Sequence, residues 1–309
     1  MRRTILERRL IRRGDHVLVA CSGGADSVAL AQVLARLGPE MGFTVAVASV
    51  DHGLRPEAPD EVAWVGRLSA GLGLDFHPLR VSLPSAPSLQ AAARAARYRA
   101  LLELARATGA GRVATGHTLD DQAETVLARL LRGAGIAGLS GIAPRRRDGV
   151  VRPLIDCSRA QVRAHLDHHG MSFLSDPSNA DPRFERVRIR HALLPRLAEE
   201  NPRIGTHLAH LADEARASAG WARRGAERLL SASASPHVLR SARLRAAAPP
   251  VRRAALRRWV ARATGRAPGR AHLEEIERAL RGRGEVRLPG GGRVHAGRGW
   301  LQIEPGEGR

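Results

Sequence analysis

The feature that most constrains this chain is an alternation that runs through its first half. Short β-rich apolar runs are separated by segments of helix length. His16–Cys21 (HVLVAC) reads as a buried strand, followed by a helical pattern VALAQVLARLG. Further strands are expected over 44–50 and 74–82, with a helix from Pro56 to Gly71 between them. A long Ala/Arg helix over 88–107, a strand over 111–116, the helix LDDQAETVLARLLR and a fifth strand over 150–156 complete the series. Strands alternating with helices at this spacing specify an α/β fold: a parallel, Rossmann-like sheet of about five strands with helices on both faces. In such a fold, function belongs to the loops that leave the C-terminal ends of the strands.

The pattern changes past the middle. Residues 158–204 read as helical pieces around the turn-rich SDPSNADP, 205–232 as one long helix, 236–281 as short helices and 284–304 as a small β unit around PGGG. The expected organisation is a catalytic domain over 1–204, a linker helix over 205–235 and a smaller, mainly helical domain with a small β unit over 236–309.

Charge separates these regions. The chain of 309 residues carries a formal net charge of +20, and all 50 of its basic residues are arginine. The absence of lysine excludes a P-loop lysine, a Schiff base and a lysine general base. Phosphate binding by guanidinium forks and backbone amides stays open. Residues 205–309 hold 21 arginines against nine acids, and the first 204 residues hold 29 against 21. The C-terminal third is therefore the more basic part, and nucleic acid is the partner that such a surplus suits. Nine aromatic residues are too few for an extensive base-stacking platform. Two cysteines without a CxxC offer no obvious zinc or cluster ligand set. No apolar run reaches the roughly 20 residues of a membrane span. The basic start leads into no signal-type apolar core, so a cytoplasmic protein with no membrane partner is expected.

The first strand runs directly into Ser22-Gly23-Gly24-Ala25-Asp26-Ser27 and then a helix. Two glycines allow a sharp turn. The loop amides and the new helix N-terminus suit a polyphosphate, with the Ser22 and Ser27 hydroxyls as extra donors. Asp26 would repel bare phosphate, so its natural task there is to hold Mg2+ bound to the phosphates. Downstream, Thr118 and Asp121 match a capping box, which accounts for one or two acids at that helix start. Asp120, Asp121 and Glu124 nevertheless form an acidic arc beside the apolar face of Ala123, Val126, Leu127 and Leu130, and three acids in five residues point to a cation site.

The hexapeptide resembles the loop of the PP-loop, N-type ATP pyrophosphatases. Val50-Asp51-His52-Gly53-Leu54-Arg55, Ala93–Tyr98, Ala114-Thr115-Gly116-His117, the DDQAE helix, Arg132-Gly133, Gly138–Ile142, Ser175–Asn179 and Arg186-Val187-Arg188-Ile189-Arg190 follow in order. Together they resemble the tRNA(Ile)-lysidine synthase family over roughly residues 15–197, and PGGGRVHAGRGWLQI is similar to the end of that family's first C-terminal domain, as in its short form. Where this chain has Val187 the family usually has Asn. The resemblance implies a ligase that uses ATP and Mg2+ to adenylate the wobble cytidine of a tRNA(Ile) with a CAU anticodon. Lysine then displaces AMP through its ε-amine.

By the same resemblance Asp121 and Glu124 hold free lysine, Arg97 contacts the ATP phosphates, and Gly116 and His117 approach the nucleotide. A lysine ammonium has a pKa near ~10.4, so attack needs a proton acceptor. Asp51, His52, His117 and the acidic arc are the candidates. Arg55, Arg132, Arg186, Arg188 and Arg190, with Arg252, Arg253, Arg257 and Arg258 in one C-terminal helix, are candidate tRNA phosphate contacts. For any single arginine a solvated helix face is the plainer reading. A homodimer stays open, as do a tRNA thiolase of the same superfamily and a basic RNA-binding protein on a relic nucleotide fold.

Overall fold

The computed structural model describes residues 1–51, 53, 56–81, 89–175, 183–233, 235–288, 291–297 and 299–305. His52, Arg55 and the segment Asp176–Asn179, all singled out above, lie outside them.

After a first helix α1 (Arg2–Glu7), the chain lays down β1 (His16–Ala20), α2 (Ala25–Met41), β2 (Thr44–Asp51), α3 (Ala58–Gly71), β3 (Asp75–Arg80), α4 (Leu89–Ala107), β4 (Arg112–Thr115), α5 (Leu119–Leu131), a short α6 (Ile136–Leu139) and β5 (Val150–Val151). The five strands form one parallel sheet in the order β3-β2-β1-β4-β5. The chain winds outward to one side of β1 and then returns to its other side, so the strand order reverses between β1 and β4. That crevice is where an open α/β sheet places its ligand.

Alternation along β1 divides the core. Val17 and Val19 pack with Val28, Ala31 and Leu34 of α2, Val65 of α3, and Val162 and Leu166 of α7 (Arg159–His168). Leu18 points the other way, onto Tyr98, Leu101 and Ala105 of α4. Those three residues share one helix face at helical spacing. Each fully buried Val or Leu contributes about 1.5–3 kcal/mol of transfer free energy, so β1, with all three of its central residues fully buried, anchors both layers.

The fifth strand is shorter than the sequence suggested. It stops at Val151, because Arg152 turns its amide to Pro144 O and Pro153 has no N–H for a ladder. Leu130, expected on the buried face of α5, is exposed.

Beyond α7 come α8 (Glu185–Arg188), a π-turn (Ile189–Leu193), α9 (Leu194–Glu200) and the 28-residue α10 (Ile204–Ser231). The chain separates into two compact units, Met1–Asp213 and Glu214–Arg309, so the division falls inside α10. The second unit adds β6 (Val238–Arg240), α11 (Ser241–Ala246), α12 (Pro249–Thr264), α13 (Arg270–Ala279), β7 (Gly284–Arg287), β8 (Arg293–Gly297) and β9 (Trp300–Glu304). Its antiparallel sheet has the order β6-β9-β8-β7. β6 replaces part of the expected helical run: three residues, Val-Leu-Arg, find a partner in β9 some sixty positions away, too short a run and too distant a partner to read from periodicity. The core of this unit joins Leu256, Trp259 and Val260 of α12 to Leu273 and Ile276 of α13 and Val286, Val294, Leu301 and Ile303 of the sheet.

Candidate active site at the reversal of strand order

The loop from β1 to α2 is built by local chemistry. Gly23 has φ +82°, and a Cβ there would lie 2.6 Å from Leu174 Cδ1, so the turn admits glycine alone. Gly24 caps α2 from extended backbone. The Ser27 hydroxyl donates to Gly24 O (2.9 Å) and accepts from the Ser22 amide (3.1 Å), closing the loop on itself. At the start of α2 the amides of Ala25 and Asp26 have no intrahelical acceptor, and they present donors to an anion. Gly116, at the end of β4, has a packing reason to be glycine. Its Cβ position lies 3.0–3.1 Å from the backbone of Asp26 and Ser27. The absence of a side chain at Gly116 lets the end of β4 lie against the phosphate loop.

The acidic arc sits on the first turns of α5. Thr118 and Asp121 form a full capping box: the Thr118 amide donates to Asp121 Oδ2 (2.8 Å), and the Asp121 amide donates to Thr118 Oγ1. Capping occupies one oxygen of Asp121 and none of Glu124, yet both are buried, Glu124 to 1% exposure. Three guanidinium groups take the remaining oxygens. Arg159 donates to Asp121 Oδ1 and to Glu124 Oε1 (2.7 Å). Arg186 donates to Asp121 Oδ1 (2.6 Å) and Glu124 Oε2 (2.7 Å), and Arg190 to both oxygens of Glu124 (2.7 and 3.2 Å). Arg159 reaches further still. Its amide donates to Asp120 Oδ2 (2.7 Å), and its Nε lies 3.9 Å from Asp26 Oδ2.

Burial pushes Asp121 and Glu124 up, but the guanidinium groups outweigh it and hold both below the usual carboxylate value. Asp26 goes the other way. Its desolvation, with Asp121 nearby, outweighs Arg159 and pushes it up to about 6.

These contacts correct two expectations. Arg186 and Arg190 do not stand free for RNA phosphate; they are bound to the carboxylates of α5. The attraction of two buried carboxylates for a guanidinium exceeds that of solvent at this depth. The residue that sequence reasoning missed is Arg159. Its signal was the Ser158-x-x-Gln161 capping box, which fixes a helix start at residue 159; the Arg159 amide then ties that start to Asp120 at the head of α5.

The other candidates are placed as follows. Asp51 ends β2, and its Oδ1 accepts from the Gly53 amide (2.7 Å), an Asx-type turn. His117 Nδ1 lies 3.0 Å from Thr115 Oγ1. Burial, reinforced by Arg152 and Arg94, pushes His117 down to about 3. It is therefore a neutral imidazole with too little proton affinity to deprotonate an ammonium. Arg97 lies on α4, and burial lowers its pKa.

Arg132 pairs with Glu185 (3.0 Å), and Arg188 donates to Arg183 O (2.8 Å). In the second unit Arg252 and Arg253 share Glu277 (3.0 and 2.9 Å), Arg258 pairs with Glu227, and Arg257 is exposed. Of the four C-terminal arginines expected to meet phosphate, three thus have an acidic partner within this unit. Cys21 and Cys157 are free thiols, and burial raises the Cys21 pKa. No group of three or more metal-ligating side chains occurs among the described residues. No helix there is long and apolar enough to cross a membrane.

A family model described as a PP-loop domain matches residues 3–197, and a TilS substrate binding domain matches residues 239–302. The tRNA(Ile)-lysidine synthase of Methylobacterium nodulans is 43% identical over 308 residues, covering 94% of this chain and 90% of its own. That of Salinispora tropica is 40% identical over 303 residues, covering 94% and 91%. Among solved structures, the U34-tRNA thiolase NcsA from Methanococcus maripaludis with its [4Fe-4S] cluster shares the fold at 15% identity. Its TM-score is 0.59, over 69% of this chain and 75% of that one. On the matched domains and these relatives, the chain belongs to the tRNA(Ile)-lysidine synthase family of PP-loop proteins.

Proposed function

We propose that this chain is a ligase that adenylates the wobble cytidine of a tRNA(Ile) bearing a CAU anticodon and attaches lysine to it, acting in the cytoplasm where that RNA is found. The observation that carries the reading is the position of Arg159, whose guanidinium lies against Asp121, Glu124 and Asp26 at once. A buried cation site therefore adjoins the phosphate loop, as a reaction between an activated nucleotide and an amine requires.

The loop amides and the Ser22 and Ser27 hydroxyls would bind the polyphosphate of ATP. The Asp26 carboxylate is desolvated, its pKa pushed up to about 6, and its nearest cation stands 3.9 Å away. It fits a magnesium ion completed by phosphate oxygens and water. Such an ion would neutralise charge on the phosphates as pyrophosphate leaves. Cytosine has one carbonyl oxygen to offer the α-phosphate, and the ε-amine of lysine then displaces AMP.

Asp121 and Glu124 would bind a lysine ammonium. Because guanidinium groups already fill their oxygens, lysine must displace one. Arg186, the most exposed of the three at 50% of its side chain, is the one to yield. Neither His117, held down to about 3, nor the arginine-bound carboxylates, held below their usual value, would keep the proton of the attacking ammonium, which would pass on to solvent. Residues 1–204 would thus carry the chemistry and residues 236–309, with their surplus of arginine, would hold the RNA.

The test supplies ATP, Mg2+, labelled lysine and an unmodified tRNA transcript with a CAU anticodon. Label entering RNA with release of AMP and pyrophosphate is expected. No label, with an active control enzyme, overturns the reading. RNA binding without pyrophosphate release would mark a non-catalytic RNA binder instead. Activity should survive replacement of both Cys21 and Cys157 by serine, which a thiolase would not tolerate.

A further inference from the structure

Two helices carry the two halves of the site. α2 begins at the phosphate loop and bears Asp26 in its first turn; α7 begins with Arg159, whose guanidinium is bound to Asp121 and Glu124. Three polar contacts join these helices. Arg159 Nε lies 3.9 Å from Asp26 Oδ2, His165 Nε2 donates to Gln32 Oε1 (2.7 Å), and Arg36 Nη1 donates to His169 Nε2 (2.5 Å). The partners are 133 positions apart in the last two pairs, and the first pair has the same spacing. α2 and α7 therefore run parallel and in step, each advance along one matched by an equal advance along the other.

Apolar packing alone does not dictate that step. Val28 and Leu34 of α2 and Val162 and Leu166 of α7 belong to one apolar core, and packed helices can reseat by one turn, about 5.4 Å. Gln32 is different. It is the one polar residue between Val28 and Leu34, and it is 6% exposed. A slip would take its amide oxygen away from His165 and leave a desolvated acceptor unmatched. A single buried polar group specifies register between helices for this reason. His165 suits the task. Burial first, then His169, Arg36, His168 and the terminal amine, keep its imidazole from charging, and the Gln32 oxygen holds its ring proton on Nε2. At its head α7 is tied to α5 by the Arg159 amide on Asp120 (2.7 Å). Toward α2 the head contact, at 3.9 Å, is longer than a hydrogen bond. The firm tie to α2 is made further along, at Gln32.

We propose that Gln32 and His165 are positioning residues: their hydrogen bond sets the register of α7 on α2, and so holds Arg159 between Asp121 and Glu124 on one side and Asp26 on the other. Both lie along the helices, away from the phosphate loop and the carboxylates. What they govern is the alignment of a phosphate half and an amine half that must act together, so they bear on turnover more than on the binding of either ligand. The effect on turnover rests on the proposed function; the register itself does not.

The test compares Gln32→Met, which keeps the side chain's length and removes the acceptor, with Gln32→Glu, which keeps the acceptor. Gln32→Met should lower kcat for lysine transfer about tenfold or more and leave KM for ATP and tRNA within about twofold. Its urea midpoint should be no lower than the parent's, because a buried polar group has been replaced by an apolar one. Gln32→Glu should return kcat to within about threefold of the parent, since a carboxylate accepts the same proton. Register is read without turnover, by pulsed EPR between spin labels at Glu40→Cys on α2 and Asp167→Cys on α7, both exposed, with Cys21 and Cys157 replaced by serine. The parent should give one narrow distance, and Gln32→Met a distribution broadened or shifted by up to a turn, about 5 Å. If Gln32→Met does not fold, His165→Leu takes its place. An unchanged distance overturns the proposal. So does a kcat within about twofold of the parent despite a changed distance, or a fall in kcat that Gln32→Glu does not recover. A parent protein that transfers no lysine removes the proposed function instead, and the distance alone then decides the register.

Discussion

The two units of this chain treat charge in opposite ways. In Met1–Asp213 the decisive charges are turned inward. Asp121 and Glu124 are almost completely buried, and three guanidiniums from α7, α8 and the π-turn close over them. In Glu214–Arg309 there are 21 arginines against 8 acids, and most of the described ones are exposed. There Glu227 is shared by Arg258 and Arg262, all three side chains more than a third exposed. The same pairing of residue types therefore has different consequences. In the first unit each ion is held by low dielectric and is expensive to remove. In the second, solvent screens each pair, and the surplus of positive charge sets up a field that reaches outward. Chemistry on an amine and a phosphate needs the first arrangement, and retention of a polyanion needs the second.

The largest effect expected is on catalysis in the first unit. Asp26→Asn should lower pyrophosphate release at least about a hundredfold, since even outer-shell partners of a bound metal are worth 10–100-fold. Binding of tRNA should stay unchanged, because the outward arginines are untouched. Retained pyrophosphate release would remove Asp26 from metal binding.

Glu124→Gln should cost about 3–5 kcal/mol of stability, because it leaves three guanidiniums around one buried carboxylate. The matching change in the second unit, Glu227→Gln, should cost under about 1 kcal/mol. Urea melts of the two variants read the difference directly. Equal losses would break the contrast between inward and outward charge.

Much of the first unit was legible in the sequence because its strands are buried on both faces and its loops carry their own chemistry. Val17-Leu18-Val19 can be little other than a central parallel strand, and Ser22–Ser27 announces a phosphate loop through the glycine at φ +82° and the serine that closes it. What could not be read was partnership at long range. Arg186 and Arg190 look like solvated cations until the fold brings them to residues more than sixty positions earlier. Arg152 looks like a strand residue until Pro153 ends the ladder. β6 needed its partner β9 before it was a strand at all.

The raised value at Asp26 sets a smaller effect with a definite sign. Its folded-state value of about 6 exceeds the ordinary 3.8, so folding disfavours the ionised form. This penalty is absent below about pH 4, grows between 4 and 6, and is complete above 6. With a modest discount for partial exposure, Asp26→Asn should stabilise the ligand-free protein by about 2 kcal/mol at pH 7 and not at all at pH 3.5. Thermal melts across that range test it. A stabilisation independent of pH would place its cause outside the carboxylate's charge. One substitution that abolishes chemistry and raises stability is the mark of a group held for function.

The smallest effect distinguishes the outward arginines from one another. Arg257 is exposed on α12, on a helix whose apolar face is committed to the core through Val251, Ala255, Leu256, Trp259 and Val260. Its loss should leave folding intact and weaken tRNA binding by about 1 kcal/mol or less. It should also reduce the slope of log affinity against log salt by about one, the signature of one lost phosphate contact. Arg253 shares Glu277 with Arg252, so only part of its charge is available to RNA. Arg253→Ala should lower the slope by less than Arg257→Ala does. Arg186→Ala supplies the contrast from the first unit: its guanidinium is committed to Asp121 and Glu124, so the slope should not move. If Arg186→Ala lowered the salt slope as much as Arg257→Ala, the inward arginines would be RNA contacts as well, and the division of labour between the two units would fail at that residue.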